Sequence, residues 1–358
     1  MALIVLVALG GAGLTIAALL GAFSSSLGMY GAIFLVDRDG RGLRRLTHDQ
    51  RLHDYAWSPD GRWIATATRS VDAHGIDVPG PLELARASTG GVHDVFLAGF
   101  GSNIVWRSDT SIELLLTSSH GEVVNSRLVD VGLTGTVRAG AWIGPVGAAA
   151  WAPNGSALAI VPCGRAYRRF SIDLLSPSGR LRRHLGHLPG ALPEGVCDDP
   201  DATADENLVW APDARSLFVV LSSGLWRLSL VGAAPRRINS EEPQSEPAVS
   251  PDGRQLVIGL SRTRAGDTGE LLYLMATTGG PARLLTSEFA SAPAWSPDGR
   301  LIAFVPRADE VIKTIPSSSG TATTLTRFPE TKTEVCCLSW SPTGRQLALN
   351  ASAKPPET

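Results

Sequence analysis

Three groups of side chains in this 358-residue chain have the types and spacing to do chemistry. His53, Asp54, Asp72, His74, Asp77 and His120 could converge from neighbouring loops. Three such groups are enough to hold a metal ion or to pass a proton. Arg165, Arg168 and Arg169, with Arg262 and Arg264, offer planar forks suited to a carboxylate or phosphate. Asp199, Asp201 and Asp205 alternate in an acidic stretch just after Cys197 and present the hard oxygens that Ca²⁺ takes. Every one of these groups has a plainer reading as solvated loop surface. For the acidic stretch the pattern itself argues against Ca²⁺. Counted from Asp199, an EF-hand loop wants Gly sixth and Glu twelfth, where Ala204 and Trp210 stand. His184 and His187 are three apart on an extended exit from a strand, a spacing that does not bring them together. No cofactor is expected, with Ca²⁺ the one metal the residues would suit.

Cysteine usage adds a covalent possibility. Cys163 and Cys197 fall in connections of the same or adjoining structural unit, and a disulfide between them would pin the longest insertion of an exported protein. Two reduced thiols are the alternative. Cys336 and Cys337 are adjacent, where a bond would be strained, and no spaced pairs of zinc ligands accompany them. No Gly-x-Ser-x-Gly elbow, phosphate-binding loop or dinucleotide fingerprint occurs. Net charge is −2, from 32 basic and 34 acidic residues, so no general basic field favours nucleic acid.

The elements that must position these groups come from a repeat. Ala294-Trp295-Ser296-Pro297-Asp298-Gly299-Arg300-Leu301-Ile302-Ala303-Phe304-Val305 reads as strand, tight turn, strand. Proline pre-sets the turn, and glycine takes the left-handed position that closes it. The motif recurs from Ala56, Ala248 and Ser339, more loosely from Ala150 and Val209, and most decayed from Val105. The aligned Trp or Val positions are 57, 106, 151, 210, 249, 295 and 340. A second hairpin follows each copy, so each unit supplies four short antiparallel strands. Four-stranded units recurring at roughly 40–50 residues describe a β-propeller. The chain enters with a second-type hairpin around residues 32–47 and leaves with a first-type hairpin around 340–350. Pairing these two removes two open edges. The expectation is an all-β, seven-bladed ring closed by its own termini, with six blades as the alternative if the Trp106 unit is an insertion.

Trp-Ser-Pro-Asp-Gly-Arg followed by Leu-Ile-Ala-Phe resembles the PD40, or WD40-like, repeat of TolB-like propellers. The resemblance spans residues of about 30 to 350. It implies the propeller fold and allows envelope scaffolds, sensor ectodomains and propellers attached to peptidases.

Before the repeat, residues 2–23 are apolar with four glycines, and Ala22-Phe23-Ser24 has the small-x-small form of a cleavage site. No Lys or Arg precedes this run, whereas Arg38, Arg41, Arg44 and Arg45 follow it. Residues 1–29 are expected to form an apolar helix, either a cleaved signal peptide or a membrane anchor. Residues 30–351 would be the propeller and 352–358 a polar tail. In such a ring the Ser-Pro-Asp-Gly turns lie on one face. The long connections at 69–81, 163–169, 185–207, 261–269 and 327–337 lie on the other, where function concentrates. The expected protein is a monomeric, exported, non-enzymatic propeller that binds a protein or peptide partner in the cell envelope at the channel mouth. A glycan- or small-molecule-processing enzyme of lyase type is the first alternative, and the ectodomain of a membrane-anchored sensor the second.

Overall fold

A computed structural model describes residues 5–10, 15–20, 29–48, 50–71, 77–95, 97, 99–120, 123–163, 171–187, 208–232, 234–241, 243–307, 310–328 and 333–353. Those from 29 to 353 form seven four-stranded antiparallel blades of a ring, with blades 7 and 1 joined into one eight-stranded sheet. From the channel outward, blade 1 is Gln50–Trp57, Trp63–Val71, Asp77–Arg86 and Val92–Val95. Blade 2 is Phe100–Ser108, Ser111–His120, Val123–Gly132 and Val137–Gly144. The most decayed copy of the repeat therefore makes a complete blade, and the six-bladed alternative is excluded. Blade 3 runs from Val146–Trp151 to Leu181–His187, blade 4 from Leu208–Trp210 to Arg236–Asn239. Blade 5 runs from Ala248–Val249 to Arg283–Leu284, and blade 6 from Ala290–Trp295 to Thr323–Arg327.

Blade 7 is built from both ends of the chain. Thr333–Trp340 and Gln346–Ala353 supply its inner strands, Met29–Asp37 and Arg44–Arg45 its outer ones. The join is a six-residue ladder from Ala32↔Ala351 to Asp37↔Gln346. Met29, Tyr30 and Gly31 continue past this ladder and pair with Leu52, Arg51 and Gln50 of blade 1. One strand thus belongs to two neighbouring sheets and locks the ring shut.

The turns follow the chemistry of the repeat. In Ser58-Pro59-Asp60-Gly61 the Gly61 N–H donates to Ser58 O at 2.9 Å, and Gly61 sits at φ 69°. The Ser58 hydroxyl donates to Asp60 Oδ1 at 2.7 Å, and the same oxygen accepts the Arg62 N–H at 2.9 Å. Ser250 with Asp252, and Ser296 with Asp298, repeat this arrangement.

Blades are held to one another by tryptophan. Trp57, Trp106, Trp210, Trp295 and Trp340 are buried, and each indole N–H donates to a backbone carbonyl of the preceding blade. The acceptors are Ser339, Ala56, Ala150, Ala248 and Ala294 at 2.8 to 3.3 Å. In every case the acceptor is the residue just before the aligned Trp or Val position. The indole therefore fills the wedge between blades and also fixes their register. Val249 lacks the donor, and Trp151 Nε1 finds no acceptor among the described residues.

The expected N-terminal helix does not form in the described part of residues 2–23. Val5–Gly10 and Thr15–Leu20 are strands that pair antiparallel with each other. Gly10 lowers helix propensity, and the β-branched Val5, Val7 and Ile16 suit an extended backbone.

Candidate binding face

The strand order places the connections between second and third strands, and those from blade to blade, on the face opposite the Ser-Pro-Asp-Gly turns. This loop face is uneven. The middle strands of blades 1, 2 and 5 are nine or ten residues long. Those of blades 3, 4 and 6 are five or six. At about 3.3 Å per residue, the middle strands of these three blades run roughly 13 Å further than those of blades 3, 4 and 6. Segments expected as loops are thus partly strand. Residues 69–71 and 77–81 continue the ladder of blade 1, and Ser261–Arg264 that of blade 5. Polar β-formers keep the backbone ladder going beyond the core, as in the bond between the Thr263 and Thr268 hydroxyls at 2.8 Å.

Of the residues singled out in the sequence, Asp54, Arg262 and Arg264 have described side chains. Asp54 is buried, and its Oδ2 accepts the Ile104 N–H of blade 2 at 2.8 Å. Its carboxylate is part of a seam between blades. Arg262 forms a two-pronged ion pair with Glu241, at 2.6 Å to Oε2 and 3.0 Å to Oε1. Its Nε donates to the Tyr273 hydroxyl at 3.1 Å, and its guanidinium lies over the Tyr273 ring at 5.1 Å. The Glu241 hydrogen bond pushes the guanidinium pKa up further. Arg264 donates to Ser287 O at 2.8 Å, so the two arginines point to separate partners. His53, Asp77 and His120 lie in strands of blades 1 and 2, and only their backbone is placed. Asp72, His74, Arg165, Arg168, Arg169, Asp199, Asp201, Asp205 and Cys197 lie outside the described residues. Cys163 is disulfide-bonded, while Cys336 and Cys337 are reduced, buried thiols in the inner strand of blade 7. His184, set aside in the sequence, bonds Asp173 through Nδ1 at 2.6 Å across two strands of blade 3.

One titratable group escaped the sequence reading. Glu270, near the loop-face end of blade 5, folds its carboxyl over Gly259, where any Cβ would collide with it. Ser245 donates its hydroxyl to Glu270. Burial outweighs that bond and raises the Glu270 pKa to about 7. Only the register Ser261↔Glu270, which sets Gly259 beside it, could have revealed this.

The fold and seams define a seven-bladed β-propeller with WD40-like repeats. A family model for the WD domain, G-beta repeat, matches residues 41–74. No curated protein matches the chain in sequence. Among solved structures, a TolB-type protein from Agrobacterium tumefaciens is similar, with 16% identity and a TM-score of 0.51 over 91% of this chain and 99% of that one. Hydrazine synthase of Kuenenia stuttgartiensis is 12% identical, with a TM-score of 0.52 over 83% and 95%. The propeller domain of the trilobed protease of Pyrococcus furiosus is 10% identical, with a TM-score of 0.53 over 85% and 93%. That propeller is described as having an open velcro topology. In this chain the two ends pair through a full strand.

Proposed function

We propose that this chain is a non-enzymatic cell-envelope propeller that binds a protein or peptide partner through its loop face. The observation that carries the reading is the unevenness of that face. The middle strands of three blades run past those of blades 3, 4 and 6, and the opposite face is made of tight turns. A closed ring holds such hairpins with little freedom left to lose on binding. Similarity in fold to a TolB-type protein and the apolar start of the chain support export. The test is a pull-down from native envelope with purified residues 30–358. A reproducible protein partner that disappears when the hairpin at 261–270 is cut back, or the 185–207 insertion is replaced, is the expected result. No partner, together with turnover of a panel of glycans, reverses the conclusion.

The lyase-type alternative draws on Glu270, a largely buried carboxyl near the loop face whose pKa lies where a general base works. Its signature would be turnover that Glu270→Gln abolishes while the fold stays intact.

A further inference from the structure

The outer rim of blades 3 and 4 carries a second candidate surface, distinct from the loop face. A groove of about 310 Å³ runs between the outer strand of blade 3 and the outer turn of blade 4. It is lined by Leu185, Leu228, Ala234 and Pro235, together with Ser229, Gly232 and Arg183. Arg183 and Leu185, two apart on the outer strand, both line the groove, and a bulge between Leu181 and Arg183 interrupts the alternation before them. Val231, in the adjoining turn, is 76% exposed, so apolar surface continues past the groove at that end.

Arginines are prominent among the described residues that flank the groove. Arg180, Arg182, Arg183, Arg236 and Arg237 are exposed, and none has a carboxylate partner among the described residues. Arg182, Arg183 and Arg237 reach only backbone carbonyls, those of Ser156, Leu230 and Ser223. Elsewhere Arg38, Arg107, Arg262, Arg307 and Lys313 each have a carboxylate within 3.3 Å. A cluster of unneutralised guanidinium groups in a chain of net charge −2 is a local feature. The outer strand of blade 3 is also a sheet edge, with a row of backbone donors and acceptors not used by its own blade.

We propose that this rim binds an extended acidic segment of a protein partner, which adds to the edge of Leu181–His187. One apolar side chain of that segment would enter the groove, and carboxylates on either side would meet the arginines. Strand addition supplies main-chain hydrogen bonds, and the groove and the guanidinium forks select alternate side chains.

The probe is a fluorescein-labelled octapeptide alternating glutamate with leucine, followed by anisotropy against the purified propeller. Saturable binding is expected, weakening as salt rises. Arg183→Glu should weaken it about tenfold. Ala234→Trp, which fills the groove from an exposed position, should weaken it similarly, and Val231→Asp also, through like-charge repulsion. Circular dichroism confirms that these exposed changes leave the fold intact. Peptides with lysine or glutamine in place of glutamate should not bind. The proposal is overturned if the glutamate peptide fails to saturate, or if it binds Ala234→Trp as it binds the parent. It is also overturned if heparin or single-stranded oligothymidine binds more tightly than the peptide, since the rim would then be a site for polyanions of another class.

Discussion

The seam between blades 7 and 1 and the seam between blades 4 and 5 solve one problem in different ways. At the first, a strand crosses from one sheet to the next, Trp57 donates to Ser339 O, and the Tyr55 hydroxyl donates to Cys337 O and Ala348 O. At the second, Val249 stands in the tryptophan position and supplies no donor, and Phe218, Ile258 and Met275 fill the space. A polar clamp, Arg262 with Glu241, sits at its loop-face end instead. The closing seam depends on directional bonds and register, the other on apolar volume and a partly exposed ion pair. The chain ends meet inside blade 7, where only the ladder from Ala32↔Ala351 to Asp37↔Gln346 joins the two halves of the sheet, and the strand that makes this join runs on into the seam with blade 1.

Deleting the wedge residue at each seam tests this contrast most severely. Trp57→Ala is expected to cost about 3–5 kcal/mol in urea unfolding and Val249→Ala about 2 kcal/mol. Equal losses would remove the distinction. Trp57→Phe, which keeps most of the volume, should cost about 1 kcal/mol for the lost bond to Ser339 O.

Blade 5, on the more loosely held side, should also respond to pH. Burial raises the Glu270 pKa from 4.5 to about 7, so the folded chain holds this proton more tightly than the unfolded chain. The resulting stability is complete below the unfolded value and fades as pH rises through the folded one. The loss amounts to about 3 kcal/mol by roughly pH 8. Glu270→Gln should flatten this dependence, as read from denaturation midpoints between about pH 5 and 8. An unchanged slope would place the titration elsewhere.

Smaller effects separate the two seams further. Tyr55→Phe should cost about 1–2 kcal/mol, because two buried carbonyls lose their shared donor. Arg262→Ala should cost less than about 1 kcal/mol, since both partners are partly in solvent, and a double-mutant cycle with Glu241→Ala measures the coupling. A larger coupling than at Tyr55 would invert the ranking.

Much of this architecture was legible because its signals are local. Ser-Pro-Asp-Gly specifies its own turn through one hydroxyl, one carboxylate and one left-handed glycine, all within four residues. Closure was legible because an unmatched hairpin at each end has one economical solution. The indole bonds were not, since each acceptor lies in the preceding blade, and the sequence shows only a residue suited to filling a wedge. Site residues fared less evenly for the same reason. Asp54 looks like a mouth residue beside His53 but is consumed by Ile104 N, 50 positions away. Arg262 looks free until Glu241 and Tyr273 are placed beside it. The N-terminal apolar run was assigned by composition, which does not distinguish helix from strand where glycines interrupt it.

Because Met29–Asp37 completes a sheet with Gln346–Ala353, the first propeller strand to be synthesised waits for the last. Six blades can assemble as the chain emerges, but the circle stays open until Gln346–Ala353 has been made, with one hydrogen-bonding border bare for most of that time. Premature truncation near the C-terminus would therefore yield a product that is nearly complete in residues yet prone to self-association.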